Sequence, residues 1–216
     1  MRGFGVQELL ACYARGVFPM AESRSDTRVY LLEPDERGVI PLDGFHIPKS
    51  LKKTVRRDEF ALTVNRCFET VVRSCAAPAP GREDSWINDQ ILMLYLDMHA
   101  AGHAHSIEAW KDGKLAGGLY GVSLGGAFFG ESMFSRETDA SKVALVSLVA
   151  RLNAGGYTLL DTQFNTDHLK RFGAQTISQE AYREQLDQAI ERSADFFTLP
   201  EGVAGDQLLQ SITQTS

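Results

Sequence analysis

Acidic and amide side chains follow two apolar segments of this 216-residue chain. Glu131 comes directly after the apolar segment that contains Phe128, and Asp161 and Gln163 come at the end of a later one. A carboxylate among apolar residues is costly unless it is partnered or functional. Alternation along a strand would point Asp161 and Gln163 to the same side. The pattern predicts a polar site where two strands end, although a lone buried Asp more often has a structural role.

A second feature is a run of cations that begins after Pro48. Its members recur at the spacing of one helical face: Lys49, Lys52, Lys53, Arg56 and Arg57. No acidic residue interrupts the run before Asp58. The net charge of −6 argues against a nucleic-acid binder on average, but a stripe of one sign suits contact with phosphates. An ordinary solvated helix face remains the alternative.

Glycines crowd two of the predicted strands, and they are Gly117, Gly118 and Gly121 in one, and Gly125, Gly126 and Gly130 in the other. Because glycine weakens a strand, such crowding indicates a bulge or a close approach of a ligand to the backbone. Two twisted edge strands are the alternative. Neither segment ends in the Gly-Lys-Ser/Thr of a phosphate loop.

Hydrophobic periodicity and capping residues predict the elements that position these side chains. The predicted helices cover residues 7–15, 49–57, 68–75, 88–101, 140–154, 167–172 and 181–192, and the helix over 181–192 is expected to be the final one. The predicted strands cover residues 29–32, 60–64, 104–110, 114–120, 127–131 and 157–161. Asp112-Gly113 predicts a hairpin, and Asp139 is expected to cap the helix that follows it. The polar tail from about residue 202 is expected to be disordered.

The order of these elements is helix, three antiparallel strands, helix, strand and helix. This order predicts an α/β (α+β) protein with a GNAT-like core, in which a strand pair is splayed around a ligand. Residues 1–36 are expected to form a small N-terminal domain and residues 37–216 the GNAT-like domain.

Composition excludes several classes of protein. With 44% hydrophobic and 23% charged residues, the chain is typical of a soluble globular protein. It has no apolar run of transmembrane length and no secretory signal at its start, so we expect a cytoplasmic protein that uses no membrane. Three scattered cysteines predict no disulfide framework. His103 and His105 alone make no metal site, so no metal is expected.

Seven blocks together resemble the leucyl/phenylalanyl-tRNA-protein transferase family, in that family's order. The blocks are Gly16–Pro19, Ser85–Ile87, Gly102–Glu108, Gly117–Gly121, Phe129–Ser135, Ala140–Lys142 and Asp161–Gln163. They span roughly residues 8–186 and are specific in combination. The resemblance implies a GNAT-like domain behind a small N-terminal one, and a monomer that needs no cofactor. It implies transfer of Leu or Phe from aminoacyl-tRNA to proteins with N-terminal Arg or Lys, marking them for degradation by the N-degron pathway. Because an apolar pocket discriminates poorly between similar apolar side chains, Met is expected as a further substrate.

The resemblance also implies roles for individual residues. Asp161, Gln163 and Glu131 fall on catalytic and substrate-binding positions, and the aminoacyl pocket falls on Leu119, Phe128, Met133, Leu145 and Leu160. Trp86 falls on a position that stacks on the terminal adenosine, and Met20 stands where better-known members have a second stacking tryptophan. The five cations of residues 49–57 fall where the family contacts the tRNA acceptor stem.

The chemistry that these residues would perform is coherent. An aminoacyl ester is already activated, and the attacking α-amine has a pKa near ~8 and needs help in losing its proton. We expect Asp161 to hydrogen-bond the Gln163 amide, which presents its oxygen to the amine, whether Asp161 is a base or an orienting group. Glu131 would bind the α-ammonium group of the donor. Backbone N–H groups freed by the glycine-rich strands would stabilise the tetrahedral intermediate.

Two other functions compete with this interpretation. A GNAT-type acyl-CoA N-acyltransferase would need a glycine-rich turn for the coenzyme A pyrophosphate, and residues 135–141 contain no glycine. A non-catalytic RNA-binding module would explain the basic stripe but would leave Glu131, Asp161 and Gln163 without a purpose.

Overall fold

The computed structural model describes residues 4–79 and 83–213 of the chain. The helices are α1 (Val6–Tyr13), α2 (Lys49–Arg56), α3 (Phe68–Ala76), α4 (Asp89–Ala100), α5 (Ala140–Ala154), α6 (Asp167–Lys170), α7 (Gln179–Ile190) and α8 (Gly205–Thr213). The strands are β1 (Phe18–Met20), β2 (Tyr30–Leu32), β3 (Glu36–Ile40), β4 (Ala61–Val64), β5 (Ala104–Lys111), β6 (Lys114–Leu124), β7 (Ala127–Ser135), β8 (Leu159–Gln163) and β9 (Gln175–Ser178). Most predicted elements are present, and β5, β6 and β7 run further than predicted.

Seven of the described strands form one mixed sheet in the order β4-β5-β6-β7-β8-β3-β9, and β1 pairs separately with β2. As the sequence predicts, β5, β6 and β7 are antiparallel neighbours, whereas β7 and β8 are parallel. The parallel ladder ends at Phe129 opposite Asp161, although β7 continues to Ser135 and β8 to Gln163. The two strands therefore part beyond this pair and leave an opening in the sheet.

The sheet is covered by helices on both faces. On one face, α2, α5 and α8 build an apolar core with the sheet around Ile107, Leu119 and Leu160. On the other face, α1, α3, α4 and α7 pack around Tyr95, Tyr120 and Phe129. Residues 4–36 belong to this second core, because Leu9, Tyr13 and Phe18 are buried in it. This mixed α/β architecture agrees with the α/β (α+β) class that the sequence predicts.

The glycines of β6 serve close packing within the protein. A Cβ atom at Gly117 would lie 2.7 Å from the Cβ of Ala140, the first residue of α5. A Cβ atom at Gly121 would lie 2.3 Å from the carbonyl oxygen of Phe129, where the β6–β7 register shifts. The predicted bulge is confirmed, whereas the edge-strand alternative is wrong because β6 lies between β5 and β7.

Helix α5 begins after Asp139, but the predicted side-chain cap is wrong. Asp139 adopts a left-handed conformation with φ of 69° and makes no capping hydrogen bond. Its carboxylate instead accepts a hydrogen bond from Lys142 at 2.6 Å. Because α5 is buried over nearly its whole length, its stability comes from packing on the sheet more than from its first turn.

The prediction of a disordered tail from residue 202 is also wrong for the described residues up to 213, and residues 214–216 lie outside the described part of the chain. Helix α8 buries Leu208, Leu209 and Ile212 against α5 and α2. Ahead of it, the buried guanidinium of Arg151 donates to the carbonyl oxygens of Phe196 and Leu199. The final helix is therefore α8, and α7 precedes it.

Among the described residues, no helix is both long enough and apolar enough to cross a membrane.

Candidate active site

A cavity of about 350 Å³ lies where β7 and β8 part. Its wall is largely apolar and includes Phe18, Pro19, Met20, Trp86, Leu119, Met133, Leu145, Leu148, Leu160 and Leu169. Glu131 and Gln163 are also exposed to it. An apolar cavity with a few converging polar groups is the usual form of a small-molecule or side-chain binding site.

Glu131 and Gln163 face each other across the opening in the sheet. Each lies two residues beyond the last pair of the parallel ladder, Phe129 and Asp161. The side-chain amide of Gln163 donates to Oε1 of Glu131 at 3.0 Å. The point where the strands part therefore determines which polar side chains reach the cavity.

Two tyrosines hold the Glu131 carboxylate from the helices behind it. The hydroxyl of Tyr13 in α1 donates to Oε1 at 2.7 Å, and the hydroxyl of Tyr95 in α4 donates to Oε2 at 2.6 Å. Burial raises the pKa of Glu131 from 4.5 to about 7, although these two hydrogen bonds lower it. Because burial also raises the pKa of both tyrosines well above 10.0, their hydroxyls remain protonated donors.

Asp161 lies behind the cavity, is 0% exposed, and is held in an ion pair. The guanidinium of Arg37 donates to both carboxylate oxygens, at 2.9 and 3.1 Å through Nε and at 2.7 Å through Nη2. The hydroxyl of Tyr182 donates to Oδ2 at 2.6 Å. Arg37 also donates to the carbonyl oxygen of Gly16 at 2.8 Å. A carboxylate with this many donors orients its neighbours and is poorly placed to take a proton from a substrate.

The contact between Asp161 and Gln163 differs from the predicted one. Asp161 accepts a hydrogen bond at 2.7 Å from the backbone N–H of Gln163, whose side-chain amide is bonded to Glu131. Gln163 has a φ of 55°, so the regular alternation used in the prediction does not hold there. A non-glycine residue in the left-handed region is strained and needs support from its surroundings. The Asp161 contact supplies that support.

Six of the seven residues predicted to bind the donor line the cavity, namely Met20, Trp86, Leu119, Met133, Leu145 and Leu160. Phe128 does not, which departs from the prediction. It points into the apolar core, where its ring stacks on Phe196 at 5.4 Å and is 0% exposed. Phe128 shares a core with Leu119 and Leu160, but its ring packs against Tyr157 and Phe196 and not against the opening.

The predicted basic helix forms as α2, with Leu51 and Val55 on its buried side. Of its five cations, Lys49, Lys53, Arg56 and Arg57 are exposed and Lys52 is partly buried. The one-sign stripe is interrupted in space, because Arg56 pairs with Asp206 of α8 at 3.1 Å and Arg57 lies 3.5 Å from Glu59. Lys49, Lys52 and Lys53 form no ion pair with any of the described residues. They therefore carry the unpaired positive charge of this surface.

Sequence reasoning missed four residues of the site: Tyr13, Tyr95, Arg37 and Tyr182. A charged Arg37 next to Gly38 reads as a loop residue, yet it lies buried in β3. Tyr13 and Tyr95 stand on the apolar faces of helices that were predicted, where an aromatic residue reads as core. Their shared contact with Glu131 is visible only in the fold. Tyr13 and Tyr95 are 82 residues apart in the sequence, but their hydroxyl oxygens lie 2.9 Å apart in the structure.

Among the described residues, no group of three or more His, Cys, Asp or Glu side chains could hold a metal ion. His105 stacks on Phe196 and lies 3.0 Å from the Asn65 amide through Nδ1, and burial lowers its pKa to about 4. Cys12, Cys67 and Cys75 all lie within the described residues and form no disulfide with one another.

Comparison with known proteins bears on this site. The sequence pattern of the family described as leucyl/phenylalanyl-tRNA protein transferase matches residues 39–187. A protein of that name from Maricaulis maris is 65% identical over 216 residues, covering 100% of both chains. A relative of the same name from Phenylobacterium zucineum is 56% identical, and the match covers 100% of both chains. Another from Caulobacter vibrioides is also 56% identical, and the match covers 99% of this chain and 98% of the relative.

A solved structure of L-PGS from Bacillus licheniformis aligns with 83% of this chain and 62% of that chain, at 15% identity and a TM-score of 0.40. That likeness is too weak to bear on function. The matches in sequence extend over the site, since residues 39–187 include Glu131, Asp161 and Gln163. The chain therefore belongs to the leucyl/phenylalanyl-tRNA-protein transferase family and is an aminoacyltransferase.

Proposed function

We propose that this enzyme moves Leu or Phe, and also Met, from aminoacyl-tRNA to the α-amine of proteins that begin with Arg or Lys, so marking them for the N-degron pathway. The observation that carries the proposal is the apolar cavity in which Glu131 and Gln163 meet. The names of the relatives, which specify tRNA, leucyl and phenylalanyl groups and a protein, support the same chemistry.

The cavity suits an apolar aminoacyl side chain. Leu119, Met133, Leu145 and Leu160 offer it only hydrocarbon and thioether surface. Such a wall rejects polar side chains but separates similar apolar ones weakly, which is why Met is included. Trp86 would stack on the terminal adenosine, with Met20 packing beside it.

The reaction requires no cofactor, because the ester that joins the amino acid to the ribose is already activated. The acceptor nitrogen attacks the ester carbonyl, the C–O bond to the ribose breaks, and a peptide bond forms. The side-chain N–H of Gln163 donates to Glu131, so the side-chain oxygen of Gln163 is left to accept a hydrogen bond from the incoming amine. Asp161, held by Arg37, orients Gln163, and backbone N–H groups along the unpaired part of β7 would meet the oxyanion.

The tRNA would lie across α2. Lys49, Lys52 and Lys53 are the cations of that helix that are free of ion pairs with described residues, so they are the ones we assign to the acceptor-stem phosphates. The parallel strands that part around the cavity support a GNAT-like arrangement of the core. The same proposal includes a small N-terminal domain, residues 1–36, and a monomeric cytoplasmic enzyme.

A transfer assay tests the proposal. Radiolabelled Phe-tRNA is incubated with the enzyme and a peptide that begins with Arg, and the label is expected on the peptide. Matched peptides with an acetylated N-terminus or an initial Glu should remain unlabelled, as should the Arg peptide when acetyl-CoA replaces the tRNA. Labelling from acetyl-CoA, or tRNA binding without any transfer, would contradict the proposal in favour of an acyl-CoA transferase or an RNA-binding module.

A further inference from the structure

The hydroxyls of Tyr13 and Tyr95 and the carboxylate of Glu131 form a closed triangle of contacts. Tyr13 lies 2.7 Å from Oε1, Tyr95 lies 2.6 Å from Oε2, and the two hydroxyl oxygens lie 2.9 Å apart. All three distances are those of hydrogen bonds. Whether all three contacts can be hydrogen bonds at once depends on how many protons the three groups carry.

When Glu131 is ionised, the triangle holds one proton too few. Each tyrosine has one O–H, and both hydroxyls then donate to the carboxylate. No proton remains for the 2.9 Å contact between Tyr13 and Tyr95, so two oxygens face each other there.

When Glu131 carries a proton on Oε2, every contact is satisfied. That carboxyl O–H donates to Tyr95, Tyr95 donates to Tyr13, and Tyr13 still donates to Oε1. Only the hydroxyl proton of Tyr95 has to turn, and the Gln163 amide keeps its bond to Oε1. Hydrogen bonds in such a ring also strengthen one another. The triangle can thus accept and return a proton by one hydroxyl rotation.

The groups around Glu131 favour this use. Asp161, the other carboxylate nearby, is held in its ion pair with Arg37 and does not line the cavity. Glu131 does line the cavity. Its pKa of about 7, raised by burial and by the negative charge of Asp161 and lowered by the tyrosines and Arg37, lies close to the ~8 of an α-ammonium group. The acceptor nitrogen carries a similar positive charge once it has bonded to the ester carbon. A proton can therefore pass between the two at small cost.

We propose that Glu131 is the proton acceptor of the transfer, and that Tyr13 and Tyr95 are positioning residues that stabilise the proton on it. In this step the acceptor nitrogen forms its bond to the ester carbon and loses a proton to Oε2. The proton then passes to the ribose oxygen as the C–O bond breaks, so Glu131 is regenerated. The inference rests on the proposed function and assigns Glu131 a task other than holding the donor ammonium.

Two donors separate these tasks. One is the phenylalanyl ester of adenosine, and the other is the 3-phenylpropanoyl ester, which lacks the α-ammonium group. With an Arg-starting peptide, Glu131→Gln should lower the single-turnover rate by about 100-fold for both donors. Tyr95→Phe should lower it by about tenfold for both, the scale of one hydrogen bond to a charged group. The matched control is Tyr157→Phe, which removes the hydroxyl of another buried tyrosine, bonded to the side chain of Ser123, and should change the rate less than about twofold.

Two further readouts would not respond to a merely structural role. Below pH 7, the logarithm of kcat/KM should rise with a slope near two in the wild type, because amine and Glu131 must both lose a proton, and near one in Glu131→Gln. Infrared difference spectra between acid and alkaline pH should show a carboxylic C=O band that is absent in Glu131→Gln. That band should shift in Tyr95→Phe but not in Tyr157→Phe.

The outcomes are distinct. A loss in Glu131→Gln that appears only with the ammonium-bearing donor would mean that Glu131 merely holds that group, and would overturn the proposal. An unchanged rate or an unmoved band in Tyr95→Phe would overturn the part played by the tyrosines. If the wild-type enzyme transfers neither ester and does not use charged tRNA, the proposed function itself fails, which is a different result.

Discussion

Removing Arg37 should destabilise the protein far more than removing an exposed arginine. The Arg37 side chain is 2% exposed and its partner Asp161 is 0% exposed. In Arg37→Met, the donors left to the buried carboxylate among the described residues are the Tyr182 hydroxyl and the Gln163 backbone N–H. Breaking a buried ion pair by removing one partner costs about 3–5 kcal/mol, because the other charge is left uncompensated. We expect a loss of that size in the free energy of unfolding.

A double-mutant cycle decides whether the pair is the cause. Asp161→Asn keeps one oxygen, which can accept from the Gln163 backbone N–H, and its NH2 group can donate to the Tyr182 hydroxyl oxygen. The double variant Arg37→Met/Asp161→Asn therefore contains no buried charge at this position. Its loss should be no larger than that of Arg37→Met alone. The coupling energy should then be at least as large as the loss in Asp161→Asn, about 3–5 kcal/mol, because that variant leaves the Arg37 charge uncompensated. Urea denaturation monitored by two probes measures all four proteins.

The exposed pair Glu69–Arg73 provides the control. It is an i, i+4 pair on α3 with both side chains more than half exposed, and such pairs contribute about 0.3–0.5 kcal/mol. If the loss of unfolding free energy in the double variant equals the sum of the losses in the two single variants, the reasoning is refuted.

Even a stable double variant should transfer about 100-fold more slowly, because Gln163 then lacks its charged anchor.

Three further predictions concern the cavity, Glu131 and α2. Leu160→Phe should reduce transfer of Phe more than of Leu, since overpacking penalises the larger group, whereas Phe128→Leu should lower stability without changing the Phe/Leu ratio of rates. Folding favours the protonated form of Glu131, whose pKa rises from 4.5 to about 7, so its contribution to stability is complete below pH 4.5 and is lost as the pH rises through 7. In urea denaturation, Glu131→Gln should therefore gain up to about 3 kcal/mol relative to the wild type between about pH 5 and about pH 8. Lys52→Glu should reduce the magnitude of the slope of log tRNA affinity against log salt concentration by about 0.7–0.9. Asp206→Asn, which frees Arg56 from its ion pair, should increase that magnitude. Unchanged slopes would mean that α2 is an ordinary solvated helix face that does not contact tRNA.

Elements with a strong periodic or turn signal could be predicted from the sequence. The hairpin at Asp112-Gly113 and the adjacent strands β5 and β6 follow from alternation and turn chemistry, and β5–β6 pairing confirms them. Strand β3 was missed because its buried Arg37 reads as a surface residue. Helix α8 was missed because its sequence is polar overall, although Leu208, Leu209 and Ile212 do have helical spacing.

The two carboxylates show what strand pairing adds to sequence. In the chain, Glu131 and Asp161 look alike, since each follows an apolar segment. In the sheet, Asp161 stands opposite Phe129 as the last residue of the parallel ladder, whereas Glu131 and Gln163 come after the strands have parted. Asp161 is thus covered by neighbouring elements and can be stable only with a cation, which β3 supplies as Arg37.

Glu131 has the opposite surroundings, and its chemistry follows from them. It is partly open to the cavity and has three neutral donors, from Tyr13, Tyr95 and Gln163, and no described cation pairs with it. A carboxylate with neutral partners can gain a proton without leaving a charge unpaired, whereas protonation of Asp161 would leave the Arg37 guanidinium buried and uncompensated. Between two carboxylates on adjacent strands, it is therefore the one without a cation that can exchange a proton with the substrate.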